Sequence, residues 1–157
     1  MKSNMESPFS LTNKTIVVTG ASSGIGRQCA ITCSLLRASV ILVGRNEERL
    51  SETLNQMERP HDHMVITVDL TNNDLLQTMA QQIAEAKGKL HGIIHAAGIS
   101  TTLPLRMINE EKLDHFFHTN VSAAILLTKL LVKPAAVSDS GMSVVFITSV
   151  MATVGEA

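Results

Sequence analysis

The stretch Thr19-Gly20-Ala21-Ser22-Ser23-Gly24-Ile25-Gly26 decides the fold of this chain. It follows a short β-branched run at 15–19 and precedes a segment with helical spacing. In such a turn, Gly20 permits a sharp bend, Gly24 lets the backbone approach a ligand, and Gly26 allows a helix to pack closely on a strand. The pattern therefore predicts a strand, a tight turn and a helix.

A helix start that follows such a turn attracts anions, because its first N–H groups are unpaired. The hydroxyls of Ser22 and Ser23 add hydrogen-bond donors there. We interpret the turn as a site for the pyrophosphate of a dinucleotide, held by Gly20, Ser22, Ser23, Gly24, Ile25 and Gly26. The alternative is an ordinary glycine-bearing turn with no ligand.

Five nearly continuous apolar, β-branched runs are predicted strands: 15–19, 40–43, 64–68, 92–95 and 143–148. Continuous rather than alternating runs are typical of parallel strands that are covered on both faces. Between them, apolar residues recur at helical spacing on four faces: Ile25, Cys29, Cys33 and Leu36; Leu50, Leu54 and Met57; Leu75, Met79, Ile83 and Ala86; Leu113, Phe116, Val121 and Ala124. The alternation predicts an α/β fold, a doubly wound parallel sheet with strand order 3-2-1-4-5. We expect a polar tail at 1–13 and one domain over 14–157.

Composition excludes several classes of protein. The 157 residues are 45% hydrophobic, and 13 Lys and Arg nearly balance 14 Asp and Glu. This balance argues against a nucleic-acid binder, and no apolar run reaches the roughly 18 residues that a membrane span needs.

Cys29 and Cys33 fall on an apolar stripe, so we expect buried, reduced thiols and a cytoplasmic protein. His61-Asp62-His63 lies after Pro60 without a third ligand, so we expect a solvated loop and no metal.

The end of the second strand indicates which cofactor is bound. Dinucleotide sites that bind a ribose 2′-hydroxyl place an acidic residue about 20 positions after the glycines. Here the strand ends in Val43-Gly44-Arg45-Asn46, with no carboxylate at its tip. Arg45 could pair with a 2′-phosphate, which favours NADP(H) over NAD(H). The alternative is a solvated Arg45 that pairs with Glu47 or Glu48.

These motifs together resemble the short-chain dehydrogenase/reductase family, whose cofactor motif is TGxxxGxG and whose fold is of the Rossmann type. Asp69 and Leu70 in Val-Asp-Leu-Thr resemble the family's adenine-contacting segment. Ala96, Ala97 and Gly98 sit where the family has Asn-Asn-Ala-Gly, with His95 in place of the first asparagine. The resemblance implies a nucleotide-contacting turn here.

Two further positions match the family's catalytic residues. Asn120 matches the asparagine of the catalytic tetrad, and Ser149 matches the serine at the end of strand five. Asn120 shares a helical stripe with Phe116 and Val121, so we expect it to be buried and hydrogen-bonded. Its alternative role is to bind the backbone of a neighbouring loop.

The family's Tyr-x-x-x-Lys motif follows its serine by about a dozen residues, and this sequence contains no tyrosine. We therefore expect the chain to be the cofactor-binding part of a reductase, without the later strands and helices and inactive alone. The resemblance implies hydride transfer to or from a carbonyl or alcohol, 3-oxoacyl reduction being one possibility, and a homo-oligomer for the full-length form. The alternative is a non-catalytic nucleotide-binding or regulatory module.

Overall fold

The computed structural model describes residues 8–150, which are built around a five-stranded parallel sheet. The strands are β1 Thr15–Thr19, β2 Ser39–Gly44, β3 Met64–Thr67, β4 Gly92–His95 and β5 Ser143–Phe146. Their order across the sheet is β3-β2-β1-β4-β5. This order confirms the predicted doubly wound fold, although β3 and β5 end slightly earlier than predicted.

The middle of the sheet is β1, which lies between β2 and β4. Val17 pairs with Ile41 on one side and with Ile93 on the other, and all three are completely buried. Burial on both faces explains why the strands are continuous apolar runs. Because all five strands are parallel, their carboxyl ends meet at one edge, where sheets of this kind bind ligands.

Five α-helices and three short turns connect the strands. The helices are α1 Gly24–Leu35, α2 Glu47–Asn55, α3 Asn73–Lys87, α4 Glu110–Phe117 and α5 Ala123–Leu131. Single 3₁₀ turns occupy Pro60–Asp62 and Leu105–Met107, and a π-helical turn, His118–Ser122, joins α4 to α5. The side chains of Asn46, Asn72 and Asn109 cap α2, α3 and α4 by accepting first-turn N–H groups.

The helices form one layer on each face of the sheet. One buried cluster joins α1 and α2 to the sheet and includes Val18, Ala30, Cys33, Leu42 and Leu50. The opposite cluster joins α3 and α5 to the sheet and includes Val17, Met79, Ile83, Ile93, Leu127 and Leu131. Burial raises the pKa of the Cys33 thiol to about 11, so this thiol stays protonated. The structure thus has three layers with the sheet in the middle.

Two of the predicted helix faces are wrong in detail. Ile25 is 60% exposed, so it does not share the buried face of Cys33. In α3 the buried residue is Leu76 rather than Leu75, which is 43% exposed. Leu76, Met79 and Ile83 follow the three-then-four spacing that keeps residues on one side of a helix, whereas a repeated spacing of four drifts around it.

The stripe predicted across α4 and α5 is also wrong. Leu113 and Val121 are 48% and 44% exposed, and Asn120 is exposed rather than buried. No residue of α4 or of the π-helical turn His118–Ser122 is buried, and the turn winds more residues into one turn and so breaks the helical spacing between α4 and α5. Residues on opposite sides of it therefore do not form the face that a continuous α-helix would give.

Two histidines bind backbone amides at the amino ends of neighbouring strands. His63 precedes β3, and its Nδ1 accepts from the amide of Val40 in β2 at 3.1 Å. His91 precedes β4, and its Nδ1 accepts from the amide of Thr15 in β1 at 3.1 Å. His63 is only 9% exposed, so the prediction of a solvated loop is wrong at this position. Its Nε2 donates to the carbonyl oxygen of Glu58 at 2.8 Å. Because Nδ1 accepts, only Nε2 carries a proton and the imidazole is neutral.

Candidate functional site

A cavity of about 390 Å³ lies at the carboxyl edge of the sheet. It is formed where the chain leaves β1, β2, β3 and β4, with one further residue from the π-helical turn. Its lining comprises residues 20, 22–25, 44–46, 49, 68–71, 96–99 and 119. All the residues predicted to hold the cofactor line it except Gly26.

The glycine-rich turn closes one side of the cavity. Gly20 has φ +66°, and a Cβ at this position would lie 2.7 Å from the carbonyl oxygen of Ala96. Gly24 has φ +52° with no atom within 4 Å of such a Cβ, so open space lies beside its backbone. Gly26 instead packs against the turn, because its Cβ would lie 2.3 Å from the Gly20 carbonyl oxygen. The turn therefore leaves an open cradle at Gly24, which a side chain would fill and a ligand can occupy.

Ser22 and Ser23 stand at the start of α1 and line the cavity. Ser23 is the N-cap residue, yet its side chain forms no capping hydrogen bond. The first N–H groups of the helix have no capping side chain and can donate to an anion. The donor set thus fits a pyrophosphate.

Arg45 and Asp69 lie on two further turns of the lining. The Asp69 carboxylate accepts hydrogen bonds from the amide and hydroxyl of Thr71 at 2.9 and 2.8 Å. These bonds, with smaller contributions from Arg45 and His115, lower the pKa of Asp69. Asp69 is therefore a carboxylate with oxygen lone pairs available to the cavity, and Leu70 adds an apolar surface beside it.

Thr19 holds the turn after β4 in place. Its hydroxyl oxygen accepts from the amides of Ala96 and Ala97, each at 3.2 Å, and the residue is 1% exposed. Gly98 follows, where an added Cβ would lie 3.3 Å from Oδ1 of Asn120. The segment 96–98 is thus fixed against the end of β1 with its backbone facing the cavity.

His95, at the end of β4, connects three elements. Its Nε2 lies 2.8 Å from the Thr128 hydroxyl, which itself donates to the Ala124 carbonyl at 2.7 Å. Nε2 therefore carries the proton and donates. The ring stacks on Phe146 with 4.9 Å between ring centroids. Burial lowers the pKa of His95 to about 4, so a neutral imidazole joins β4, β5 and α5.

The structure does not place the two predicted catalytic residues in the lining of the cavity. Asn120 forms two hydrogen bonds with the backbone of Ile99: its Oδ1 accepts at 2.8 Å and its Nδ2 donates at 2.9 Å. This is the loop-binding alternative considered for Asn120. Ser149 lies beyond the end of β5 and is exposed.

Sequence reasoning missed several lining residues, chiefly Arg49 and Thr119. Arg49 stands four residues after Arg45, a spacing that could have identified it. Thr119 has a buried hydroxyl oxygen that lacks a hydrogen-bond partner within residues 8–150. A buried hydroxyl without a partner is costly, and a ligand in the cavity could supply one.

Metal-binding clusters and membrane-spanning helices are both lacking between residues 8 and 150. No three His, Cys, Asp or Glu side chains there come together in a way that could hold a metal ion. Over the same range, no helix has the length and apolar character needed to cross a membrane.

The chain matches the short chain dehydrogenase family over residues 14–157. It is 34% identical over 152 residues to an uncharacterized oxidoreductase of Escherichia coli K12, YciK, a match that covers 94% of this chain and 60% of the relative. It is 30% identical over 132 residues to the ketoacyl reductase HetN of a Nostoc species, covering 83% of this chain and 46% of the relative. A short-chain dehydrogenase structure from Shigella flexneri, complexed with NADP, aligns with a TM-score of 0.84 at 32% identity, over 93% of this chain and 63% of that one. The chain thus spans roughly half to two thirds of the length of these proteins.

Proposed function

This chain belongs to the short-chain dehydrogenase family, and we propose that it is the cofactor-binding part of an NADP(H)-dependent oxidoreductase. The observation that carries the proposal is the cavity at the carboxyl edge of the sheet, with an open glycine turn at one side and Arg45 and Asp69 on others. When bound, the nicotinamide of the cofactor would give a hydride to a carbonyl carbon or take one from an alcohol carbon.

The residues of the chain would bind and orient the cofactor. Gly20, Gly24 and Ile25 would lie along the pyrophosphate, with Ser22 and Ser23 as hydrogen-bond donors. Gly26 would not contact the cofactor but would keep α1 packed closely against the turn.

The adenosine half would lie between the turns after β2 and β3. Arg45 would bind the 2′-phosphate, and Asp69 would accept from the adenine amino group with Leu70 against the ring. Ala96, Ala97 and Gly98 would present backbone to the other side of the nucleotide. The related structure in complex with NADP supports the preference for the phosphorylated cofactor.

Asn120 would act as a positioning residue, because its amide holds the Ile99 backbone beside the cavity. Ser149 would bind the substrate oxygen in the complete site. The substrate would be a small carbonyl compound or alcohol, and the ketoacyl reductase relative supports a 3-oxoacyl compound. The two free thiols, Cys29 and Cys33, fit the cytoplasmic location that we propose.

We also propose a homo-oligomeric full-length protein. Phe117 at the end of α4, Val121 in the π-helical turn and Ile125 at the start of α5 are 56%, 44% and 57% exposed. Several exposed apolar side chains in one short segment are typical of a contact surface.

Fluorescence titration with NADPH and NADH tests the cofactor proposal. We expect NADPH to bind more tightly, and Arg45→Met to weaken NADPH about tenfold to a hundredfold, the usual effect of losing a charge-assisted hydrogen bond. NADH bound as tightly as NADPH would refute the role of Arg45. Failure to bind either dinucleotide would refute the proposed function itself.

The second candidate function is a non-catalytic nucleotide-binding or regulatory module. It would differ from the oxidoreductase in having no tyrosine at the position where the family resemblance implies a proton donor. On either proposal the 157 residues bind NADPH without oxidising it in the presence of 3-oxoacyl or aldehyde substrates. Sequencing the transcript past Ala157 separates the two: an in-frame Tyr-x-x-x-Lys supports the oxidoreductase, and a stop codon supports the module.

A further inference from the structure

Arg49 lines the same cavity as Arg45, from the first turns of α2. The side chains of both residues are exposed there, and neither has a carboxylate within 4.0 Å among residues 8–150. Arg27 and Arg59, by contrast, are paired with Glu52 and Asp62. Two arginines without acidic partners thus face one cavity.

The reason that Arg49 lacks a partner lies on the neighbouring helix. Glu52, three residues further along α2, is the natural helical partner of Arg49. Its Oε2 is instead bound by Nη2 of Arg27 in α1, at 3.0 Å. Arg27 is held in turn by the Ser22 carbonyl at 2.8 Å and the Thr53 hydroxyl at 3.0 Å. Glu52 is therefore bound by Arg27 in the contact between α1 and α2, and the Arg49 guanidinium is available to a ligand in the cavity.

The backbone of Arg49 is fixed from both sides. Its amide donates to Oδ1 of the N-cap residue Asn46 at 2.8 Å. Its carbonyl oxygen lies 3.0 Å from the Thr53 hydroxyl, whose single proton it shares with the Ala21 carbonyl at 2.9 Å. Arg49 is thus held one helical turn beyond Arg45, on the same side of α2 as the cavity.

The charged side chains that line the cavity are two arginines, Arg45 and Arg49, and one carboxylate, Asp69. Asp69 is ionised, and Arg45 is close enough to contribute to the lowering of its pKa. The lining therefore carries one more positive than negative charge, and this excess favours an anionic ligand. A phosphate monoester carries close to two negative charges, and its oxygens accept from two guanidinium groups at once. A ribose hydroxyl has neither the negative charge nor the several acceptor oxygens of a phosphate.

We propose that Arg49 is a second specificity-determining residue, which binds the ribose 2′-phosphate together with Arg45. This inference rests on the proposed function, because it requires the adenosine half of the dinucleotide to lie between the turns after β2 and β3. It adds a residue that the resemblance does not supply, and it makes the preference for NADPH depend on two separate arginines.

The test is a titration of the full 157-residue chain and its variants with NADPH and with NADH. We expect Arg49→Met to weaken NADPH about tenfold or more, as for other charge-assisted contacts, while the affinity for NADH stays unchanged. Arg49→Lys keeps the charge but loses the planar fork, so it should restore part of the affinity. The dependence of NADPH binding on salt should also be shallower in Arg49→Met than in the wild type.

Arg37→Met is the matched control, because Arg37 is an exposed arginine beyond the far end of α1 and does not line the cavity. It should leave both affinities unchanged. The inference is overturned if Arg49→Met keeps the wild-type ratio of NADPH to NADH affinity while Arg45→Met lowers it. A wild-type chain that binds neither dinucleotide overturns the inference and the proposed function together. Thermal melting confirms that each variant is folded.

Discussion

Replacing Gly26 with alanine tests whether the close contact between α1 and the glycine turn is as tight as the geometry indicates. The new Cβ would lie 2.3 Å from the carbonyl oxygen of Gly20 and 2.6 Å from its carbonyl carbon. Both atoms belong to the backbone, so no side chain can move aside. Ordinary contact needs about 3.5 Å, so the helix and the turn would have to separate by roughly 1 Å.

Two opposing effects set the magnitude for Gly26→Ala. Overpacking a well-packed site costs about 1–3 kcal/mol, and a contact between backbone atoms belongs at the upper end of that range. Alanine is favoured over glycine inside a helix by about 1 kcal/mol. The net expectation is a loss of about 2 kcal/mol in the free energy of unfolding, or a Tm lower by roughly 4–8 °C for a chain of this size.

Gly24→Ala is the matched control, since it adds the same methyl group to the same turn with no atom within 4 Å. Its φ of +52° makes alanine unfavourable by about 1–2 kcal/mol, and its methyl group would point into the cavity. We expect Gly24→Ala to reduce NADPH affinity more than Gly26→Ala does, and Gly26→Ala to reduce Tm more. Calorimetry and denaturant titration measure both variants. A Gly26→Ala chain that melts at or above the wild-type temperature would refute the argument, because helix propensity alone would then decide the outcome.

Two further predictions concern His95 and Thr119. An unfolded histidine takes up its proton near pH 6.5, whereas burial lowers the pKa of His95 to about 4, so its contribution to stability is complete above pH 6.5 and is lost as the pH falls toward 4. Between pH 7 and pH 4, the wild type should lose up to about 3 kcal/mol more than His95→Asn in denaturant titrations; equal losses would contradict the neutral, buried ring. Thr119→Val removes a buried hydroxyl without a partner, so the free energy of unfolding of the ligand-free chain should rise by about 1 kcal/mol. If the cofactor is the missing partner, the same variant should bind NADPH more weakly, and a less stable ligand-free variant would count against this account of Thr119.

The fold could be predicted from the sequence because local pattern and tertiary structure agree in it. The runs at 15–19 and 92–95 are continuous and apolar because the strands are covered on both faces, and the glycine spacing fixes the first turn. The cavity follows from these elements, since parallel strands place Arg45 and Asp69 at the same edge of the sheet irrespective of side-chain conformation.

The predictions fail where a backbone irregularity or a tertiary contact determines the environment of a side chain. Burial of Asn120 requires an uninterrupted helix with one face packed on the core, whereas the π-helical turn interrupts the helix and no residue of α4 or of the turn is buried. Arg49 was missed because its availability depends on Arg27, a residue of another helix that occupies Glu52. His63 was assigned to a solvated loop because its neighbours are polar, yet it reaches across to β2.

The pairing of His63 with Val40 and of His91 with Thr15 has a consequence for the opposite edge of the sheet. Each imidazole nitrogen takes the place of a backbone carbonyl and so adds a hydrogen bond one residue before its own strand begins. A strand that slid by one residue would leave that nitrogen facing no amide, so each histidine acts as a stop that defines where pairing starts. The alignment of the turns around the cavity is thereby set in part from the amino ends of the strands, at the edge of the sheet opposite the cavity.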